Sequence, residues 1–198
     1  MKGVTVTTRA TSWTLCLLAT VLLATSQPAS AQVACPYNTA TQPTEFRLNG
    51  AVTKHLKVDL DLLTSLPVSY STVSFVSGSG LNTVTYVGVS LYDLLNLAEL
   101  APVTSATVPN AKNASLRTYA VVVGSDCYTA LVSLAELLPV FGGQQILVAY
   151  GQLDANGNFE FLTAVGEGMA RLVVPGDKAG RRFVSNIVHV KVVNASWE

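Results

Sequence analysis

The sequence contains few of the residues that carry most enzyme chemistry. Its 198 residues include only two histidines and three cysteines, and charged residues make up 12% of the chain. The histidines, at positions 55 and 189, lie in separate segments, and no group of His, Cys and carboxylate residues has zinc-site spacing. The chain also lacks a basic excess, which argues against a nucleic-acid-binding domain. A serine hydrolase elbow of the G-x-S-x-G type is missing as well.

A secretory signal peptide is predicted at residues 1–31. A weakly basic start precedes an apolar run at 13–23, and Ala29 and Ala31 lie where signal peptidase requires small residues. The run is too short to span a bilayer, so we expect no membrane span in the mature chain, the alternative being an uncleaved N-terminal anchor. Arg9 has no second arginine beside it, which predicts export by the general secretory route to the periplasm or the cell exterior.

The mature chain is expected to form one domain. Residues 32–45 are a polar N-terminal segment, and residues 46–198 have the length and apolar content of a domain with a substantial core. Removal of the signal leaves ten basic and twelve acidic residues, a net charge of −2. Cys35 and Cys127 remain in an oxidising compartment, which favours a disulfide over two free thiols.

The hydrophobic pattern alternates strands with short helices. Strands are predicted at 46–52, 69–75, 83–89, 119–123, 146–150, 159–163, 171–176 and 187–193. A helix is predicted over 58–66, and capping boxes at Ser90 and Ser133 predict two more. Asn156-Gly157 predicts a hairpin turn rather than a calcium loop. Because no strict strand-helix-strand rhythm appears, we expect an α+β fold.

Two segments are candidates for binding a ligand. Residues 77–80, Ser-Gly-Ser-Gly, end a predicted strand, and such small residues let the backbone approach a ligand closely. A basic cluster flanks the turn PGDKAG and consists of Arg171, Lys178, Arg181 and Arg182. Arginine forms two-pronged hydrogen bonds to phosphate, but the same cluster is also typical of a solvated hairpin tip. His189 shares a strand face with Lys191, which predicts a solvated surface histidine.

The order of several segments resembles a known family. These segments are NGAV, VSF, GVSLYDLL, GSDCYTALVSLAELLP, ILVAY and RLVVPGDKAGRRFVSNI. Together, over residues 46–193, they resemble the oxidoreductase molybdopterin-binding domain of the sulfite oxidase family, especially its small, exported, single-domain bacterial members. The resemblance implies mixed β-sheets with short helices and a molybdopterin cofactor bound at the loops.

The resemblance also implies site residues. Ser77 stands where the family has the cysteine that holds molybdenum, so no metal ligand is predicted there. Ser77 and Arg171 are the implied catalytic positions, with Arg171 orienting a substrate anion. The implied cofactor contacts are Ser77, Gly78, Ser79, Asp126, Arg171, Lys178, Gly180, Arg181 and Arg182. Cys127 replaces a family glycine, and the family's His-Gly segment before Arg171 is missing.

These departures favour a binding module over an enzyme. Serine is a poor substitute for a soft thiolate ligand, and molybdopterin is inserted in the cytoplasm, whereas this chain is predicted to leave unfolded. We therefore expect a module that binds a small anionic or pterin-like ligand, or a protein partner. The alternatives are an active molybdopterin-dependent oxidoreductase with Ser77 near the metal, and a purely structural exported domain.

Overall fold

The computed structural model describes residues 3, 35–37, 42–101 and 112–195. The chain divides into two units, Met1–Val33 and Ala34–Glu198, and all described residues except Gly3 belong to the second. Apart from Gly3, the predicted signal peptide lies outside the described residues, as does most of the polar connection that follows the second helix. Within the described part of the chain, no helix is both long and apolar enough to cross a membrane.

Ten strands and three short α-helices make up the second unit. The strands are β1 Glu45–Gly50, β2 Leu56–Asp59, β3 Ser69–Ser77, β4 Gly80–Ser90, β5 Thr118–Gly124, β6 Thr129–Ser133, β7 Leu147–Leu153, β8 Phe159–Phe161, β9 Arg171–Val173 and β10 Ile187–Asn194. The helices are α1 Leu60–Ser65, α2 Leu91–Leu97 and α3 Leu134–Leu137. Four 3₁₀ helices, Ala114–Arg117, Pro139–Phe141, Leu162–Val165 and Gly180–Arg182, complete the described elements.

The strands form two five-stranded sheets. The first has the order β2-β1-β10-β5-β6, in which β1 and β10 run parallel and the other neighbours run antiparallel. The second has the order β3-β4-β7-β8, with β9 paired to β7, and is antiparallel throughout. Strands from distant parts of the sequence are therefore neighbours in both sheets, and helices contribute little, as expected for an α+β fold.

The helices are short because each is limited by local signals. Asp59 caps α1, its Oδ1 accepting the Leu62 N–H at 2.9 Å. The predicted helix over 58–66 is thus shorter than expected, since residues before Leu60 pair with β1 as strand β2. Ser133 forms the predicted capping box with Glu136, whereas Ser90 caps α2 by accepting only the Tyr92 N–H.

One apolar cluster stabilises both sheets. Alternate residues of the strands are buried, as in β5, where Ala120 and Val122 are almost wholly inaccessible to solvent. Phe46 and Leu48 of β1 and the helical Leu94 are equally buried in the same cluster. Outside the cluster, a Cys35–Cys127 disulfide, with Cα atoms 5.6 Å apart, ties the N-terminal segment to the turn between β5 and β6.

Candidate functional site

The Ser-Gly-Ser-Gly segment is a tight β-hairpin turn. Strands β3 and β4 pair up to Ser77 and Gly80, so only Gly78 and Ser79 connect them. Ser77 Oγ accepts the Ser79 N–H at 3.2 Å and the Asn82 Nδ2–H at 2.8 Å, and it lies 2.8 Å from Ser79 Oγ. The Ser77 hydroxyl is therefore already engaged within its own hairpin, which differs from the open ligand turn that the sequence predicts.

The basic loop docks against this hairpin. The Val76 N–H donates to the Lys178 carbonyl at 2.9 Å, and Val76 and Ala179 form an isolated parallel bridge. At Gly180 the loop backbone lies against the buried Phe75 ring, because an added Cβ would come within 2.6 Å of Phe75 Cδ2. Glycine at this position is what lets the loop approach the strand so closely.

A third segment, the β5–β6 turn, closes the site. Cys127 adopts the left-handed conformation, with φ +63°, a backbone conformation that favours glycine. Asp126 Oδ1 accepts the Tyr128 N–H at 2.9 Å, which fixes the turn. The Tyr128 hydroxyl donates to the Arg181 carbonyl, so the turn and the basic loop are joined by a hydrogen bond.

The three segments enclose what we call the hairpin cavity, with a volume of about 460 Å³. It is lined by Val76, Ser77 and Gly78 of the hairpin, Ala179, Gly180 and Arg181 of the basic loop, and Tyr128. Four of the predicted cofactor contacts thus come together, namely Ser77, Gly78, Gly180 and Arg181. The other five predicted contacts do not line the cavity. Ser79, Lys178 and Arg182 are each adjacent in sequence to a lining residue, Asp126 is two residues from Tyr128, and Arg171 is further away in sequence.

Arg182 is held by two carboxylates. Its Nε and Nη2 donate to Asp177 at 2.8 Å each, and Nη1 donates to Glu136 at 3.0 Å. These hydrogen bonds, above all the one to Asp177, raise the pKa of Arg182 further above its ordinary high value, although partial burial opposes them. The planar fork that would bind a phosphate is therefore occupied by the protein itself.

Arg171 belongs to a partly buried ion pair. Only 11% of its side chain is exposed, and its guanidinium pairs with Glu167, which also accepts a hydrogen bond from Ser185 at 2.6 Å. It lies 5.6 Å from the Tyr86 ring centre and 5.9 Å from that of Phe183. Burial raises the pKa of Tyr86, a rise that the Arg171 charge opposes and the Glu167 charge supports. This placement suits a packing role, not the substrate contact that the resemblance implies.

Arg181 differs from Arg171 and Arg182 in its exposure and in its lack of a carboxylate partner among the described residues. Its side chain is exposed at the mouth of the hairpin cavity, and no carboxylate of the described residues pairs with it. Lys178, three residues earlier, is also exposed and forms no ion pair within the described ranges. The cavity thus presents uncompensated positive charge on a backbone that is fixed by Phe75 and Tyr128, an arrangement that favours an anionic ligand.

The fold resembles that of a sulfane dehydrogenase. The crystal structure of the sulfane dehydrogenase SoxCD from Paracoccus pantotrophus matches with a TM-score of 0.59 and 20% sequence identity. The match covers 78% of this chain but only 39% of the SoxCD chain, so this protein spans well under half of that neighbour. No protein-family model matches the sequence, and neither does any curated protein. The likeness confirms the predicted fold class, an α+β fold of mixed sheets with short helices.

The donor atoms of the hairpin cavity do not fit a molybdenum ion. Thiolate sulfur is the protein donor that suits a high-valent metal, yet the two described cysteines, Cys35 and Cys127, are bonded to each other. Ser77 Oγ is committed to hydrogen bonds within the hairpin. In the described part of the chain, no three His, Cys, Asp or Glu side chains are placed to hold a metal. What the cavity offers is a cationic group for an anion.

Two features were not predicted from the sequence. Tyr128 lines the hairpin cavity with 45% of its surface exposed, and its only sequence signal is an aromatic residue directly after a polar turn. His189 is half-buried rather than solvated, because its Nε2 lies 2.9 Å from Asn49 Oδ1 and its Nδ1 lies 3.4 Å from the Tyr37 hydroxyl. The prediction of a solvated histidine was therefore wrong, since the alternation of β10 carries no information about the segment packed across it.

Proposed function

We propose that this chain is an exported module that binds a small anion, or the phosphate group of a pterin-like ligand, in the hairpin cavity. The observation that carries the proposal is the contrast between two adjacent arginines. Arg182 is neutralised by Asp177 and Glu136, whereas Arg181 lines the cavity with no carboxylate partner among the described residues. Positive charge is thus available at Arg181, and also at the exposed Lys178 three residues earlier, while Arg182 between them and the next strand is compensated.

The rigidity of the loop supports the proposal. Binding is stronger when the groups that contact a ligand need no ordering beforehand. The Arg181 backbone is held from two sides, by the Tyr128 hydroxyl and by the packing of Gly180 on Phe75. A phosphate entering the cavity would meet a guanidinium whose attachment point is already fixed, which reduces the entropy lost on binding.

The experiment is calorimetric titration of the mature protein with inorganic pyrophosphate at constant ionic strength. We expect Arg181→Ala to weaken binding about tenfold or more, since a hydrogen bond to a charged group contributes about 1.5–3 kcal/mol. Lys112→Ala removes the same charge from an exposed residue outside the cavity and should leave the affinity unchanged. Equal affinity of the Arg181→Ala variant and the parent would overturn the proposal. Replacing pyrophosphate by a pterin pyrophosphate then measures the contribution of the ring.

A molybdopterin-dependent oxidoreductase with Ser77 near the metal is the second candidate, favoured by the fold shared with a sulfane dehydrogenase. Elemental analysis for molybdenum, together with fluorescence of released pterin, separates the two on protein purified from its native compartment. Molybdenum near one atom per chain would establish the enzyme and refute the binding module. Pterin without metal would support the binding module and identify the ligand class.

Export by the general secretory route is part of the proposal. It rests on the apolar run at 13–23 and on the small residues that end at Ala31. Intact-mass measurement of the protein recovered from the cell envelope tests it directly. A mass that begins at residue 32 is expected, and a cytoplasmic, full-length chain would contradict it.

A further inference from the structure

A second cationic cavity lies on the first sheet, remote in sequence from the hairpin cavity. It has a volume of about 500 Å³ and lies between β1, β2 and the connection that joins them. We call it the β1–β2 cavity. The side chains that give it chemical character are Arg47, Asn49, His55 and Lys57. Three basic side chains and an amide therefore converge on one concave surface that the proposed function does not use.

The strand register brings like charges together there. Arg47 pairs directly with Lys57 across β1 and β2, and with His189 across β1 and β10. Like charges at directly opposite positions of a sheet are destabilising. Two carboxylates, Glu45 and Asp59, form the next pair but one along the same face, and Glu45 lies 3.4 Å from Lys57 Nζ in an exposed pair of little energetic value. Arg47 itself has no carboxylate partner in the described part of the chain.

His189 lies opposite Arg47 in the sheet and is the second histidine at this positive patch. Its pKa is lowered, first by burial and then by the charges of Lys191 and Arg47. The groups facing its ring are otherwise neutral, the Tyr37 hydroxyl on one side and the Asn49 amide on the other. Both histidines of the chain thus lie at this patch, one lining the cavity and one beside Arg47.

We propose that the β1–β2 cavity binds a small oxyanion, of the phosphate or sulfate class, between Arg47, His55 and Lys57. Such an ion relieves the repulsion between Arg47 and Lys57, and Asn49 supplies a further hydrogen-bond donor through its amide. Oxyanions of this shape accept two parallel hydrogen bonds from an arginine fork, which the compact halide ions do not.

The two histidines are built-in reporters of this site. Because the predicted mature chain has only two histidines, we expect nuclear magnetic resonance to resolve the ring signals of each. Titration with inorganic phosphate at constant ionic strength should shift the His55 signal with saturation. It should also move the titration midpoint of His189 upward, because a bound anion offsets the charge of Arg47. Sulfate should act likewise, whereas chloride should not.

Three variants decide the outcome. Arg47→Ala should weaken the phosphate-induced shift of His55 about tenfold, the loss of one charge-assisted contact. Arg181→Ala, which disables the hairpin cavity, and Lys112→Ala should both leave the shift unchanged. A shift that chloride reproduces, or one that grows without saturation, would overturn the site. A shift lost in Arg181→Ala but kept in Arg47→Ala would reassign phosphate to the hairpin cavity and refute this inference alone.

Discussion

Replacing Gly180 by alanine should strain the contact that brings the basic loop to the hairpin. The added Cβ would lie 2.6 Å from Phe75 Cδ2 and 3.0 Å from Phe75 Cε2. Phe75 cannot move aside easily, because it is only 4% exposed and its ring centre lies 4.6 Å from that of Phe183. Overpacking of this kind costs about 1–3 kcal/mol.

A matched control lies across the same cavity. Gly78 also lines it, but an added Cβ there meets no atom within 4 Å and the backbone does not have a positive φ. Gly78→Ala should therefore be neutral or stabilise the fold by about 0.4–1 kcal/mol, through the smaller freedom of its unfolded chain. The two variants therefore add the same methyl group at two positions that line the same cavity.

The assay is thermal and urea unfolding of both variants, followed by pyrophosphate titration. At roughly 2–4 °C per kcal/mol for a chain of this size, Gly180→Ala should lower the melting temperature by about 2–12 °C, and Gly78→Ala should not lower it. Gly180→Ala should also weaken pyrophosphate binding, since Arg181 is displaced with its neighbour. Equal melting temperatures for the two variants would refute the packing argument. If Gly180→Ala is destabilised but binds pyrophosphate as the parent does, the contact between Gly180 and Phe75 does not contribute to ligand binding.

Two further predictions concern stability. Replacing Cys35 by alanine together with Cys127 by glycine should lower the free energy of unfolding by about 2–4 kcal/mol, because the disulfide closes a loop of 92 residues. Glycine is chosen at position 127 because it tolerates the left-handed backbone there. The parent protein with its disulfide reduced should show the same loss in urea unfolding, and the absence of a loss would contradict the prediction. His189→Gln should reduce the loss of folding stability that occurs as the pH is lowered. The folded pKa of His189 is lowered, so the native state resists protonation, and the parent should lose stability as the pH falls below about 6.5. Parallel profiles for parent and variant between pH 7 and 5 would show that His189 does not contribute.

Much of the fold is encoded in local sequence signals. The strand predicted at 119–123 is present as Thr118–Gly124, and Asp154 forms the predicted turn by accepting the N–H groups of Asn156 and Asn158 at 2.8 Å each. The pairing of β1 with β10 had no such signal, because the two strands are separated by almost the whole domain. Sequence periodicity shows which face of a strand is buried, but not which strand lies beside it.

The candidate site was predicted only in part, again because the sequence does not show which segments become neighbours in the fold. The resemblance groups the hairpin with the basic loop, and in the structure Ser77, Gly78, Gly180 and Arg181 line one cavity, while their role as ligand contacts stays a prediction. It did not separate the arginines by their partners, because Glu136 and Glu167 reach their guanidinium groups through tertiary packing and a local turn. The β1–β2 cavity was not predicted for the same reason, because its basic residues become neighbours only when β2 pairs with β1.

The partners of the three arginines give the most direct argument about function. Arg171 and Arg182 are each held by carboxylates, so displacing either pair would leave buried or half-buried charge uncompensated. A cofactor that needed all three guanidinium groups would have to break both arrangements on entry. A small anion that contacts Arg181 alone breaks neither, and it meets a loop already fixed by Gly180 and Tyr128. The charge arrangement therefore favours a compact anionic group over a large cofactor gripped by the whole basic cluster.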